Sequence, residues 1–235
     1  MGGVGSTFFI KHIKKYRSTN LSNDKDSLKH ILFPPFSANR NIKYIYIYGN
    51  PIDSVISLFR RNIQDLHSKK FLSLNNKLKS INLSDNLDKY AADGVDRFIF
   101  SEQFNNWLTG SKFYPTLFIK YEKLWENLEV LYDFLEIPRE EIKSFPEKKK
   151  RNSEFLYLDK KTQIGLKKIY AEFEQYINEF DDCFILNGRK RRLLPGMFFT
   201  KSFYYTARRN AAIKINDFSP SLSNYLEKLY FSERK

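Results

Sequence analysis

Residues 42–61 read IKYIYIYGNPIDSVISLFRR. From Tyr44 to Tyr48 aromatic and β-branched side chains alternate, and the stretch is apolar on both faces. That is the composition of a strand buried from both sides, as in the parallel sheets of α/β proteins. Gly49-Asn50-Pro51 ends it. Asn50 is a good helix N-cap and Pro51 suits the first helical position, so a helix follows directly. On that helix Asp53 and Ser57 are one turn apart, and so are Ser57 and Arg61. Ser57 with Arg60 or Arg61 can therefore face a common phosphate. A solvated arginine pair on a surface helix is the plainer alternative.

A second unit of the same kind lies downstream. YPTLFIK, residues 114–120, is apolar and strand-like, and it runs into a helix that stops before Pro138. Glu122 opens that helix, whose apolar face is Leu124, Leu128, Leu131 and Leu135. Between the two units the pattern predicts an amphipathic helix over 93–110, ending at Gly110; another covers 159–180. Strands of buried type alternating with helices predict an α/β fold, a parallel sheet flanked by helices in three layers. In such sheets ligands bind beyond the carboxyl ends of the strands, where loops enter helices.

The chain opens with MGGVGSTFFIKHI, residues 1–13. A Gly-rich turn carries Ser6 and Thr7 into a helix over 7–17, with Phe8, Phe9, His12 and Ile13 near one face. Such a turn aims backbone N–H groups, two hydroxyls and a helix N-terminus at an anion. No Lys precedes Ser6-Thr7, which disfavours an ATPase or GTPase. Read alone, the stretch is equally a loose Gly-rich start.

Composition bounds the partners. The 235 residues suffice for one domain with a sizeable core and an appendage. Twenty-two Phe and fifteen Tyr argue for a packed interior rather than disorder. A single Cys, Cys183, excludes an internal disulfide framework and fits a reducing compartment. No apolar run is long enough to span a bilayer, so the expected location is cytoplasmic. The net charge of +13 favours anionic partners: nucleotides, sulfated or acidic glycans, nucleic acid or a membrane surface. A lysine-rich solvated surface explains it as well.

Taken in order, these segments resemble the sulfotransferase family, which transfers a sulfuryl group from 3′-phosphoadenosine 5′-phosphosulfate (PAPS) to a hydroxyl or amine. The family's 5′-phosphosulfate loop reads like P-K-x-G-[ST]-T-[WF]; here GGVGSTF stands at 2–8. Its 3′-phosphate motif reads like R-N-P-x-D-x-x-x-S; here GNPIDSVIS stands at 49–57. LFIKYEKL (117–124), FLEIP (134–138) and the aromatic FNNWL (104–108) match its later strand–helix pattern. The resemblance covers about residues 2–187. It implies a P-loop-like sulfotransferase fold with the first strand missing, a PAPS donor with no metal, and a hydroxyl-bearing acceptor, either a glycan or a small molecule. It places Gly3, Val4, Gly5, Ser6 and Thr7 on the 5′-phosphosulfate. Ser57, Arg61, Lys150 and Arg151 fall on the 3′-phosphate, the last two within the basic segment 148–153. LKHILFPP (28–35) sits where cytosolic members carry the histidine that acts as general base, which nominates His30; His12 is the competitor. The acceptor cleft falls in 66–112.

The chain departs from the pattern where charge matters. Gly3 stands at the usual loop lysine and Gly49 at the usual arginine. Either other cations serve, with Lys11 or Arg40 on the 5′ side and Arg60, Arg61, Lys150 and Arg151 on the 3′ side, or the chain is an inactive relative that binds nucleotide or anionic glycan. The missing strand points to a truncated or mis-started chain. Nucleic-acid binding through 148–151, 188–192 and 201–214 is disfavoured, because these runs lack interleaved aromatics apart from FYY at 203–205. The domain reading is 1–187 as the sulfotransferase-like unit and 188–235 as a basic C-terminal extension.

Overall fold

A computed structural model describes residues 4–34, 41–72, 81–82, 84–111, 115–148 and 155–186. The expected extension at 188–235 and the basic pair Lys150 and Arg151 lie outside the described residues, as do Gly3 and Arg40.

The two strand units form as the pattern predicts. β1 (Tyr44–Tyr48) and β2 (Thr116–Lys120) pair in parallel, Tyr44 opposite Thr116 and Tyr48 opposite Lys120. All of β1 but half-buried Ile45 is buried, and so is β2 up to Ile119. α2 (Pro51–Arg60) follows β1 at once. Its cap is the expected one: Asn50 Oδ1 accepts the Asp53 N–H at 3.0 Å, and Pro51 takes the first helical position. Pro51 has no N–H to satisfy there, so it begins the helix at no cost.

Ahead of β1 lies α1 (Ser6–Ile13), shorter than the periodicity predicts, which buries Phe9, Ile10, His12 and Ile13. Among the described residues no strand precedes it. After α2 come α3 (Gln64–Leu72), α4 (Leu87–Asp93) and α5 (Phe100–Gly110). α6 (Leu128–Leu135) and α7 (Lys160–Ile177) follow β2. α5 covers one face of the sheet, with the Phe104 ring 5.9 Å from Tyr46, 5.2 Å from Tyr48 and 6.0 Å from Phe118. α7 closes over it, Phe173 lying 6.0 Å from Phe104.

Two expectations need correction. The helix predicted over 93–110 is shorter, running only from Phe100 to Gly110. The half-buried Asp96 carboxylate accepts the N–H groups of Phe98 (3.0 Å) and Phe100 (2.9 Å). Those bonds replace the intrahelical ones of a first turn, so the helix starts at Phe100. The sheet is also mixed rather than wholly parallel. A third strand, β3 (Cys183–Leu186), pairs antiparallel with β2, Thr116 opposite Leu186. The reason is where α7 ends. The Lys120 N–H donates to Asp182 O at 2.8 Å, so the chain re-enters the sheet at the carboxyl end of β2 and can only run back along it. The fold is thus α/β with a three-strand sheet in the order β1-β2-β3.

Candidate anion site at the start of the first helix

Residues 4–7 make the approach to α1. Val4 is buried, 1% exposed. Gly5 is the N-cap in a left-handed conformation (φ 70). A Cβ there would lie 2.6 Å from the Phe8 ring and 2.9 Å from the Tyr121 ring, so only glycine passes. Ser6 is half-buried and Thr7 exposed.

The segment between α1 and β1 returns to these two hydroxyls. His30 Nε2 and Ser6 Oγ share a hydrogen bond of 3.0 Å. The neighbouring Lys29 donates through Nζ to Thr7 Oγ1 at 2.5 Å and to Ser22 O at 3.1 Å. A lysine therefore stands at the loop after all, supplied from 22 residues downstream of Thr7. Sequence reasoning nominated Lys11 and Arg40 for this part. Lys11 is exposed on α1, and Arg40 lies outside the described residues.

α3 completes the cluster. The His67 ring lies 5.0 Å from the His30 ring. Lys70 Nζ is 2.7 Å from Asp24 Oδ2 and also donates to the Lys29 carbonyl. Arg61 donates through Nε to the Ser57 carbonyl at 3.0 Å, and its charge is felt at both Lys29 and His67. Burial, together with His67, Lys29 and Lys70, holds His30 well below the usual histidine range. Burial, with Arg61, Lys70 and Lys29, brings His67 down to about 3. Burial also pulls the Lys29 ammonium down; Asp24 opposes this, and Arg61 and Lys70 add to it. Three cations, two imidazoles and two hydroxyls thus share one region with the Asp24 carboxylate. Such a donor set suits an anion of high charge density, a phosphate or sulfate.

Of the residues predicted for the site, Ser6, Thr7 and His30 come together, with Val4 and Gly5 shaping the turn. Arg61 stands within electrostatic reach, and Ser57 is held against it. His12 is buried in the core, its Nε2 bonded to Tyr132 Oη at 2.8 Å, which leaves His30 without that competitor. Lys29, His67 and Lys70 are the residues missed. Lys29 lies inside LKHILFPP, but nothing local ties it to Thr7, 22 positions away; His67 and Lys70 lie in polar sequence with no motif.

The carboxyl end of β1 has the opposite character. The Asn50 N–H donates to Glu122 Oε1 at 3.2 Å, and Asn50 Nδ2 donates to Glu174 Oε1 at 2.5 Å. A cavity of about 210 Å³ opens there, lined by Asn50, Lys120, Glu122, Lys123, Glu174 and neighbours. Among the described residues no cluster of His, Cys, Asp and Glu is arranged to hold a metal ion. No helix among them is long and apolar enough to cross a membrane.

Compared with known proteins, residues 11–180 match the family model described as the sulfotransferase domain. The match spans both strand units, His30, Lys29 and α3, and begins just after the Val4–Thr7 turn. No curated protein and no solved structure matches the chain.

Proposed function

Because this chain belongs to the sulfotransferase domain family, we propose that it transfers a sulfuryl group from PAPS to a hydroxyl or amine acceptor, either a glycan or a small molecule. The observation that carries the reading is the convergence of Lys29 and His30 on Thr7 and Ser6. It supplies the cation that Gly3 cannot.

The residues present fit the 5′ end of such a donor: the side chains that bond Ser6 and Thr7 are an imidazole and an ammonium. PAPS supplies the activated sulfuryl group. The N–H groups at Gly5–Thr7, the two hydroxyls and Lys29 would hold the phosphosulfate. Ser57 and Arg61, with Lys150 and Arg151, would hold the 3′-phosphate. His30, neutral at physiological pH, would accept the acceptor's proton on its imidazole. Fixed positive charge of this kind is commonly the largest contribution to catalysis of group transfer.

The test is transfer itself. The protein is incubated with PAPS carrying radioactive sulfur and a panel of sugars and small phenols, and labelled product is separated. Labelled product from at least one acceptor, abolished in His30→Ala, supports the reading. Binding of donor with no transfer to any acceptor supports instead an inactive relative that retains the nucleotide site.

A further inference from the structure

The segment from Leu21 to His30 is held in an unusual backbone. Asp24 (φ 61), Ser27 (φ 55) and His30 (φ 54) are all left-handed without being glycine. Such a backbone is strained for a residue with a Cβ, so the conformation persists only where surrounding contacts impose it. Those contacts converge on Lys29. Asp24 Oδ1 accepts the Lys29 backbone N–H at 2.8 Å. Asp24 Oδ2 accepts from Lys70 Nζ at 2.7 Å. Lys70 Nζ in turn donates to the Lys29 carbonyl. Both backbone polar groups of Lys29 are therefore tied into one closed ring by a single ion pair, whose side chains are only 31% and 22% exposed. Beyond the ring, the Lys29 side chain meets Thr7 and the next residue, His30, meets Ser6.

We infer that Asp24 and Lys70 are positioning residues for the sulfuryl-transfer site: their ion pair fixes the backbone of Lys29 and so holds the Lys29 ammonium and the His30 ring on Thr7 and Ser6. This rests on the site reading given above. Asp24 is the feature that a purely electrostatic site leaves unexplained. A carboxylate among Lys29, Lys70 and Arg61 repels an incoming anion, so it weakens the site unless its role is to place the cations. The same pair ties α3, which carries His67, to the segment it supports.

The two roles predict opposite signs. If Asp24 acts only through its field, Asp24→Asn removes a negative charge and tightens anion binding. If it positions Lys29, Asp24→Asn weakens binding. The experiment titrates adenosine 3′,5′-bisphosphate calorimetrically into the wild type, Asp24→Asn, Lys70→Met and the double variant. Residues in one network are coupled, so each single variant should lose at least about threefold in affinity, and the double no more than either single. In the field account Asp24→Asn gains affinity, Lys70→Met loses it, and the double falls between them; that pattern overturns the inference. Tight wild-type binding with an unchanged or tighter Asp24→Asn sinks the inference alone. No wild-type binding sinks the site reading and the inference with it. A second readout covers a variant that does not fold. The chain has three histidines, so the imidazole nitrogen resonances are separable. Lys70→Met should shift those of His30 and leave buried His12 unmoved, and unchanged His30 resonances contradict the inference.

Discussion

Glu122 occupies the space that any side chain at position 49 would need: its Oε1 lies 2.8 Å from the Cβ that Gly49 lacks, while accepting the Asn50 N–H at 3.2 Å. Gly49 and Glu122 are therefore a fitted pair. Restoring the family's arginine at 49 should not restore a phosphate site. Gly49→Ala should push the Glu122 carboxylate off the Asn50 N–H and destabilise by about 0.5–1.5 kcal/mol, the net worth of that hydrogen bond. Gly49→Arg should cost at least as much, and Glu122→Ala should relieve part of the loss. Thermal unfolding of the four proteins checks this; a Gly49→Arg protein that melts with the wild type contradicts it.

Gly5 makes a parallel prediction at the start of α1. Its φ of 70 and the Phe8 ring 2.6 Å from a would-be Cβ leave no room for alanine. Gly5→Ala should turn the N–H groups of Ser6 and Thr7 away from their common direction. The expected outcome is weaker binding of adenosine 3′,5′-bisphosphate with β1, β2 and α2 intact, seen as an unchanged circular dichroism spectrum. Equal affinity in Gly5→Ala would mean that this turn does not touch the ligand.

The strand units, the Asn50 cap and the entry to α2 were legible in the sequence because each is a local pattern. Alternating Tyr and Ile makes a strand wherever both faces are covered, and Asn50 caps with a residue three positions away. The loop serine, the loop threonine and His30 were legible through motif order. What was not legible depends on partners far along the chain. Lys29 reaches Thr7 across 22 positions, and Lys70 reaches Lys29 across 41. No periodicity records such contacts. β3 was missed because it is four residues long and mostly half-buried, so it has no alternation to read. The late start of the helix predicted over 93–110 was missed because Asp96, an ordinary surface residue by composition, is half-buried and bonds the N–H groups of Phe98 and Phe100.

His67 gives a pH prediction. Burial and three cations lower it from 6.5 to about 3 in the folded protein. The unfolded chain then binds more protons than the folded one across that interval. Its contribution to stability is complete above about pH 6.5 and declines as pH falls toward about 3. Denaturant unfolding of the wild type and His67→Gln over this range should show a smaller loss of stability with acid in the variant. Parallel pH profiles for the two proteins would show that His67 is not the group responsible.

On the proposed reading, Lys29 supplies the cation of a donor-binding site at the start of α1. The decisive measurement is calorimetric titration of adenosine 3′,5′-bisphosphate into the wild type and Lys29→Met. A charge-assisted hydrogen bond contributes about 1.5–3 kcal/mol, so saturable wild-type binding should weaken by about tenfold or more in the variant. Wild-type protein that shows no saturable binding, or Lys29→Met that binds as tightly as the wild type, would contradict the account.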